Sequence, residues 1–312
     1  MRAFLFPGQG SQAVGMGAAL AESSRAARDV FEQVDEALGQ NLFRLMRDGP
    51  DEELRLTENA QPAIMANALA VFTALTREGN VDLSDAVSFI AGHSLGEYSA
   101  LCAAGSFDLA TTARLLKLRG QAMQAAVPVG VGAMAALLGT DLELARRIAA
   151  AAAQGETCEV ANDNDPGQVV ISGHKGAIER AIEMAKDMGA KRAVLLPVSA
   201  PFHCRLMQPA ADAMAQALGD TLIHAPVVPL YANVTAAPVL DPDTIRGQLV
   251  EQVTGLVRWR ESVAAMAEAG VDEFIELGGK VLGPMVKRIA PDAKVTSVVG
   301  IADLEALAKE IA

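Results

Sequence analysis

The feature that most constrains the fold is the pentapeptide Gly92-His93-Ser94-Leu95-Gly96, which lies between an apolar segment and a helical pattern. Residues Ala86 to Ala91 predict a short buried strand, and the helical spacing from Leu95 to Ala104 ends at Gly105. A strand that turns sharply into a helix through Gly-x-Ser-x-Gly is a nucleophile elbow, in which small flanking residues push the serine hydroxyl out of the sheet. The sequence therefore predicts an α/β fold with Ser94 as its nucleophile.

Strand and helix patterns alternate along most of the chain, which favours a mostly parallel sheet covered on both faces. Residues 131–197 instead follow the order β-α-β-β-α-β, which is typical of a ferredoxin-like unit. We therefore expect a large α/β-hydrolase-like catalytic subdomain made of residues 1–130 and 198–312, with a small ferredoxin-like subdomain of residues 131–197 inserted in it. One helix is expected to begin near Thr57 and Gln61-Pro62, with the proline close to its first position.

Composition excludes several classes of protein. The 26 Lys and Arg against 38 Asp and Glu leave a net charge of −12, which argues against nucleic acid and anionic membranes as partners. The N-terminal apolar run stops at Pro7-Gly8, too early for a signal peptide, and no apolar run approaches membrane-spanning length. The cysteines form no Cys-x-x-Cys pair, so neither a metal site nor a disulfide framework is expected, and the cytoplasm is the expected compartment. They are Cys102, Cys158 and Cys204.

A serine nucleophile needs a base, and the chain offers four histidines. His203 follows a predicted strand, where α/β sheets place catalytic loops, and it comes after the serine in the chain; it is therefore the predicted general base. His93 adjoins the nucleophile and is expected to point elsewhere, His174 lies at the start of a helix, and His224 lies in a predicted surface loop.

No carboxylate is evident as an orienting group for His203. Asp163 and Asp165 are expected in a turn of the small subdomain, so a backbone carbonyl is the expected partner of the imidazole. Cys204 is a rival nucleophile in principle, but it has no elbow, and a packed thiol is the favoured interpretation.

Arg119 indicates something about the substrate. Its neighbours at helical spacing are apolar, so its guanidinium is predicted to project from the buried face of a helix. An unpaired buried arginine costs several kcal/mol, so it needs a carboxylate from the protein or from a ligand. An internal salt bridge and a dicarboxylic acyl substrate are both compatible with this helix.

The first turn allows two interpretations. Gly8-x-Gly10-x-x-Ala13 after a strand matches a dinucleotide-binding fingerprint, but residues Ala18 to Leu38 are predicted to be helical and no second strand with a terminal acid follows. The alternative is that the glycines bring Gln9 close to the elbow as a second oxyanion donor beside the N–H of Leu95.

Taken together, the motifs resemble one family, the bacterial malonyl-CoA:acyl carrier protein transacylases of fatty acid synthesis. The resemblance covers nearly the whole chain and rests on several ordered motifs. They are Phe6-Pro7-Gly8-Gln9-Gly10-Ser11-Gln12, Thr57-Glu58-Asn59-Ala60-Gln61-Pro62-Ala63, Gly92-His93-Ser94-Leu95-Gly96-Glu97-Tyr98, Arg119-Gly120, Ala161-Asn162-Asp163-Asn164-Asp165-Pro166-Gly167-Gln168, and Pro197-Val198-Ser199-Ala200-Pro201-Phe202-His203.

The resemblance implies a ping-pong transfer of malonyl from coenzyme A to the phosphopantetheine thiol of holo acyl carrier protein through a malonyl-Ser94 ester. It implies that Arg119 holds the malonyl carboxylate, that Gln9 and Leu95 form the oxyanion hole, and that Asn162 faces the site. It also implies that a residue near the segment Val257-Arg258-Trp259 orients His203, with a main-chain group as the expected partner. Malonyl-CoA is then a substrate, and no permanently bound cofactor or metal is expected.

Two other functions remain compatible with the elbow. A serine esterase or thioesterase would pass the acyl group to water, and a non-catalytic carrier-docking module would use the elbow only as a turn. A monomer is the expected state. Because carrier protein is acidic, a local basic patch is expected to dock it, with candidates Lys186, Lys191, Arg192, Lys280, Lys287 and Arg288.

Overall fold

The structure is a computed structural model, and it describes residues 1–311. It has an α/β architecture with two sheets. The first sheet has six strands in the order β10-β9-β1-β2-β7-β8, and all neighbours are parallel except the antiparallel pair β7 and β8. Its strands are β1 (Arg2–Phe6), β2 (Phe89–Gly92), β7 (Leu230–Ala232), β8 (Ala237–Val239), β9 (Glu273–Leu277) and β10 (Lys294–Val298).

Helices cover this parallel sheet. Buried apolar side chains from β1, β2 and β9 pack against them on the two faces of the sheet in separate clusters, as expected for strands buried on both sides. The helices are α1 (Ala18–Ser23), α2 (Arg25–Leu38), α3 (Leu42–Asp48), α4 (Asp51–Leu54), α5 (Thr57–Arg77), α6 (Leu83–Ala86), α7 (Gly96–Ala103), α8 (Leu109–Ala125), α11 (Gln208–Gly219), α12 (Pro242–Thr254), α13 (Trp259–Glu268), α14 (Leu282–Ile289) and α15 (Ile301–Ile311).

The second sheet has four antiparallel strands in the order β4-β5-β3-β6. Two helices lie between its strands along the chain. Their alanine-rich faces pack against the sheet and form a separate hydrophobic cluster. The elements are β3 (Gly132–Leu138), α9 (Leu142–Ala153), β4 (Cys158–Asp165), β5 (Gln168–His174), α10 (Lys175–Ala185) and β6 (Arg192–Leu195).

Several local predictions were wrong. The strand before the elbow begins at Phe89 rather than Ala86, because the Asp82 carboxylate accepts the N–H of Ser84 and caps a helical turn that ends at Ala86. The start predicted near Thr57 is confirmed for helix α5, but Pro62 lies in the interior of the helix and not close to its first position.

Asp163 and Asp165 lie in strand β4, not in a turn. Each carboxylate pairs with an arginine from the other part of the chain, Asp163 with Arg260 at 2.8 Å and Asp165 with Arg288 at 2.7 Å. They therefore tie the second sheet to α13 and α14 and do not approach His203.

No helix within residues 1–311 is long and apolar enough to span a membrane. The three cysteines are free thiols, and burial raises the pKa of Cys204 to about 11. Its Sγ lies 3.2 Å from the carbonyl of Pro201, so this thiol is packed and protonated at neutral pH.

Candidate active site

The turn between β2 and α7 places Ser94 at the carboxyl end of the central strands. Ser94 has φ 54°, a left-handed conformation that costs a non-glycine residue about 1 to 3 kcal/mol. A Cβ on Gly92 would lie 1.9 Å from the backbone of Gly96, and one on Gly96 would lie 2.2 Å from the carbonyl oxygen of Phe6. Both flanking positions therefore require glycine for the turn to be this tight.

Asn233, immediately after β7, holds the turn from the neighbouring strand. Its Nδ2 donates to the carbonyl of Gly92 at 2.7 Å, and its Oδ1 accepts the N–H of Ser94 at 2.8 Å. Sequence reasoning missed this residue. The available signal was its position after a predicted strand, where the carboxyl ends of parallel strands meet.

His203 lies within hydrogen-bond distance of the nucleophile candidate. Its Nε2 is 2.8 Å from Ser94 Oγ, and its Nδ1 is 2.8 Å from the carbonyl oxygen of Gln252 in α12. Because a carbonyl can only accept, Nδ1 carries the proton and Nε2 is left as the acceptor that faces the serine hydroxyl. The orienting group is thus a backbone carbonyl, and it belongs to Gln252, which precedes the segment 257–259.

The imidazole of His203 is 4% exposed. Burial, and to a smaller extent the nearby Arg119 guanidinium, lowers the pKa of His203 to about 3. The ring is therefore neutral at physiological pH, which is the state that a general base requires.

Arg119, on α8, is 1% exposed and turns its guanidinium toward the elbow. Its Nη1 donates to Oε1 of Gln61 at 2.9 Å, and its Nη2 donates to Oε1 of Gln252 at 2.8 Å and to Ser94 Oγ at 3.2 Å. No carboxylate forms an ion pair with it within residues 1–311, and its Nε has no hydrogen-bond partner there. The internal salt bridge considered for Arg119 is therefore absent from the described chain.

Close packing of α8 against α5 fixes the position of Arg119 relative to Gln61. A Cβ on Gly120 would lie 2.6 Å from the carbonyl oxygen of Thr57, so α8 approaches the start of α5 at backbone distance. That approach brings Gln61 of α5 within reach of Arg119. The guanidinium also lies 5.8 Å from the ring centre of Tyr98, within cation–π range.

The loop after β1 lies against the elbow. A Cβ on Gly8 would meet the carbonyl oxygen of His93 at 2.6 Å, so only glycine permits this approach. The backbone N–H groups of Gln9 and Leu95 donate to no protein acceptor within residues 1–311. A dinucleotide-binding turn needs a helix that starts directly after its glycines. Here α1 begins only at Ala18, so the structure does not fit that alternative.

A cavity of about 240 Å³ joins these groups. Polar residues of the elbow region line it together with residues of the second sheet and of the segment that follows this sheet. The lining residues are Gln9, Gly10, Gln12, Arg55, Gln61, His93, Ser94, Leu95, Arg119, Met123, Met134, Asn162, Leu196, Pro197, Val198, Phe202 and His203. All six residues singled out from the sequence as site candidates therefore line one space.

The other histidines have structural partners. His93 Nε2 lies 2.8 Å from Oδ1 of Asn164, and burial lowers the pKa of this imidazole. His174 Nδ1 accepts the N–H of Thr157, and the exposed His224 lies in a loop. Within residues 1–311 no three His, Cys, Asp or Glu side chains are grouped as metal ligands would be.

Similarity to known proteins extends over nearly the whole chain. The acyl transferase domain family matches residues 3–298. The malonyl CoA-acyl carrier protein transacylase of Escherichia coli strain K12 is 46% identical over 288 residues, which are 92% of this chain and 92% of that protein. The crystal structure of acyl-carrier-protein-S-malonyltransferase from Bartonella henselae is 51% identical, covers 99% of both chains and has a TM-score of 0.97. A structure described as a type II PKS acyl-carrier protein in complex with its malonyl-transacylase matches at 41% identity over 99% of both chains, with a TM-score of 0.95.

Proposed function

This chain belongs to the acyl transferase domain family, and from that premise we propose that it transfers malonyl from coenzyme A to the phosphopantetheine thiol of acyl carrier protein. It is an acyltransferase of the malonyl-CoA:acyl carrier protein type. The observation that carries the proposal is that a serine, a neutral histidine and an arginine without a carboxylate partner converge in one cavity. That set offers a nucleophile, a base and a binding site for a carboxylate on the acyl group.

The first half-reaction forms an ester on Ser94. His203 Nε2 takes the hydroxyl proton while Oγ attacks the thioester carbonyl of malonyl-CoA. The free N–H groups of Leu95 and Gln9 are the donors for the oxyanion that develops on that carbonyl oxygen. The C–S bond then breaks, and the proton on His203 passes to the departing coenzyme A thiolate.

The second half-reaction reverses these roles with a different thiol. The phosphopantetheine thiol of holo acyl carrier protein gives its proton to His203, and its sulfur attacks the malonyl-Ser94 ester. The C–O bond to Ser94 breaks, and the serine recovers the proton from the imidazole. Coenzyme A is a substrate here, and we propose that the protein carries no permanently bound cofactor or metal.

Arg119 supplies selectivity for the acyl group. Its three acceptors in the structure are neutral, so a malonyl carboxylate would be its first charged hydrogen-bond partner. Asn162, in strand β4 of the second sheet, also lines the cavity and is proposed to contact the substrate. Leu95 and Phe202 resemble malonyl-selective rather than methylmalonyl-accepting family members.

We propose that residues 131–197 form an inserted ferredoxin-like subdomain and that residues 1–130 and 198–312 form an α/β-hydrolase-like catalytic subdomain. The element order β3-α9-β4-β5-α10-β6 and the antiparallel sheet order β4-β5-β3-β6 support the ferredoxin-like description. The elbow after β2 in a mostly parallel sheet supports the hydrolase-like description.

A monomer in the cytoplasm is the proposed working form, and docking of the acidic carrier protein is proposed to use exposed basic residues. Of the six candidates, Arg288 already pairs with Asp165, and Lys287 donates to the carbonyl of Ala293. The other four are exposed and form no ion pair within residues 1–311. They are Lys186, Lys191, Arg192 and Lys280.

The test is to mix the protein with malonyl-CoA, measure its intact mass, and then add holo acyl carrier protein. A malonyl adduct that is absent from Ser94→Ala and that moves to the carrier supports the proposal. Rapid loss of the adduct to water would indicate an esterase or thioesterase instead. Absence of any adduct in the unmodified protein would indicate a non-catalytic docking module.

A further inference from the structure

An acidic residue lies behind the cavity without lining it. Glu97, in the first turn of α7, is 1% exposed. One of its carboxylate oxygens accepts the backbone N–H of Asn233 at 3.1 Å, and the other accepts Nε2 of Gln252. No step of the transfer described above uses this residue, although it lies one turn from Ser94.

The hydrogen bonds around Gln252 fix the direction of its amide. A guanidinium can only donate, so Arg119 Nη2 must face Oε1 of Gln252, at 2.8 Å. The Nε2 end of the same amide therefore points the other way, to Glu97 and to the carbonyl of Ser94 at 3.0 Å. Both oxygens of Glu97 thus face N–H donors, which is the pattern of an ionised carboxylate.

The ionisable groups that face Glu97 are few. Arg119 approaches from α8, and Tyr98 is its neighbour on α7 itself. Gln252 from α12 and the backbone of Asn233 after β7 are neutral. Among the described residues of α5, β1 and β2, which also pack against α7, no ionisable group shifts the pKa of Glu97.

Burial raises the pKa of Glu97 to about 8, against the opposing effects of its two hydrogen bonds and of Arg119. Burial also raises the pKa of Tyr98, and it lowers the pKa values of His203 and His93. Glu97 is therefore the group at this site that changes charge between pH 7 and pH 9.

We propose that Glu97, when ionised, is the resident counter-charge of Arg119, and that it then takes a proton from solvent as the carboxylate of the acyl substrate binds the guanidinium. In the empty site above pH 8, where Glu97 is ionised, one cation and one anion cancel through the amide of Gln252. When a substrate carboxylate is added, a protonated Glu97 restores that balance, and two anions need not share one buried cation. This inference rests on the proposed function, because the substrate carboxylate is the charge to which Glu97 responds.

The added proton has an acceptor in the same network. Once Arg119 Nη2 donates to the substrate carboxylate, Oε1 of Gln252 loses its obligatory donor. The amide can then turn so that Oε1 accepts the new hydroxyl of Glu97, a turn that also breaks the bond from Nε2 to the carbonyl of Ser94. Glu97 and Gln252 are positioning residues in this scheme, because neither carries out a bond-making step.

The sign of the pH dependence follows from linkage. Malonyl binding raises the pKa of Glu97 above its value in the empty site, so binding consumes a proton wherever the empty site is ionised. Affinity for malonyl-CoA should be constant well below pH 8 and should fall above it, by up to about tenfold per pH unit. Acetyl-CoA has no carboxylate and should show no such loss.

The experiment is isothermal titration calorimetry of Ser94→Ala, which binds without reacting, in two buffers of different ionisation enthalpy at pH 9. We expect uptake of about one half to one proton per malonyl-CoA and none per acetyl-CoA. Ser94→Ala combined with Glu97→Gln should lose the uptake. Ser94→Ala combined with Glu179→Gln, an equal charge change at an exposed position of α10, should retain it.

The outcomes separate the two claims. Binding of malonyl-CoA without proton uptake overturns this inference alone, and so does uptake that persists in the Glu97→Gln protein. Failure to bind malonyl-CoA overturns the proposed function and this inference with it. If the Glu97→Gln protein does not fold, the comparison of malonyl-CoA with acetyl-CoA on Ser94→Ala decides the matter.

Discussion

Replacement of Arg119 by alanine should change which acyl group the protein transfers. The structure shows a buried guanidinium whose three acceptors, on Gln61, Gln252 and Ser94, are all neutral. A malonyl carboxylate would add a charge-assisted bond worth about 1.5 to 3 kcal/mol, which corresponds to a factor of about 10 to 150 in kcat/KM. Acetyl transfer should lose less than malonyl transfer, since an acetyl group offers no partner to the arginine.

The ratio of the two substrates is the informative quantity. Arg119 also contacts Ser94 Oγ and lowers the pKa of His203, so its removal disturbs the proposed nucleophile and the proposed base. Both disturbances act equally on malonyl-CoA and acetyl-CoA, and they cancel in the ratio of the two kcat/KM values. Only the lost contact with the substrate carboxylate remains in that ratio.

The assay is rapid-quench acylation of the protein by each thioester, with the adduct measured by intact mass. Arg119→Lys serves as the control, because it keeps the charge but loses the planar fork and should fall between the parent protein and the alanine variant. An equal loss for malonyl and acetyl in Arg119→Ala would refute the carboxylate-binding role.

Three further predictions concern the base and the turn. Because the pKa of His203 is about 3, the rate of acylation by malonyl-CoA should stay constant from pH 7 to pH 5. With a histidine of ordinary pKa, the rate at pH 5 would be about 30-fold below its maximum. Such a loss in a stopped-flow pH series would contradict the lowered pKa. Gly92→Ala should lower the free energy of unfolding by about 1 to 3 kcal/mol in chemical denaturation, since the added Cβ would lie 1.9 Å from the backbone of Gly96. Gly219→Ala is the control and should be neutral, because its Cβ would meet no atom within 4 Å. Equal stability of the two variants would count against the tight turn. Asn233→Ala should slow acylation by malonyl-CoA and by acetyl-CoA by the same factor, about 5- to 150-fold, because two hydrogen bonds that hold the turn are lost. A larger effect on malonyl-CoA than on acetyl-CoA would contradict the role of Asn233 in holding the turn.

The sequence was sufficient for the features that depend on short-range geometry. The elbow is encoded within five residues, because two glycines permit a turn that no other residue tolerates at those positions. Alternating strand and helix patterns predicted an α/β fold with a mostly parallel sheet, which the structure confirms. The ordered motifs also identified the family, which the comparisons confirm.

Other elements were predicted poorly because their local signals are weak. Strand β8 has only three residues, includes Pro238 and lies at the edge of the sheet, so it lacks the apolar alternation that marks longer strands. Pro62 was expected close to the first position of α5 because proline prefers first turns, whereas the helix begins at Thr57 and Pro62 lies in its interior.

Only the tertiary structure decided how the site is connected. Gln252 accepts from Arg119 through its side chain and from His203 through its carbonyl, and its Nε2 donates to Glu97. In the sequence it is one polar residue of an ordinary helix, more than 130 positions from Arg119. Local sequence determined which residues could perform chemistry, because turn geometry and side-chain type are short-range properties. The charge balance and the orientation of those residues depend on groups that meet only when distant helices and strands pack together, and for that reason they could not be inferred from sequence spacing.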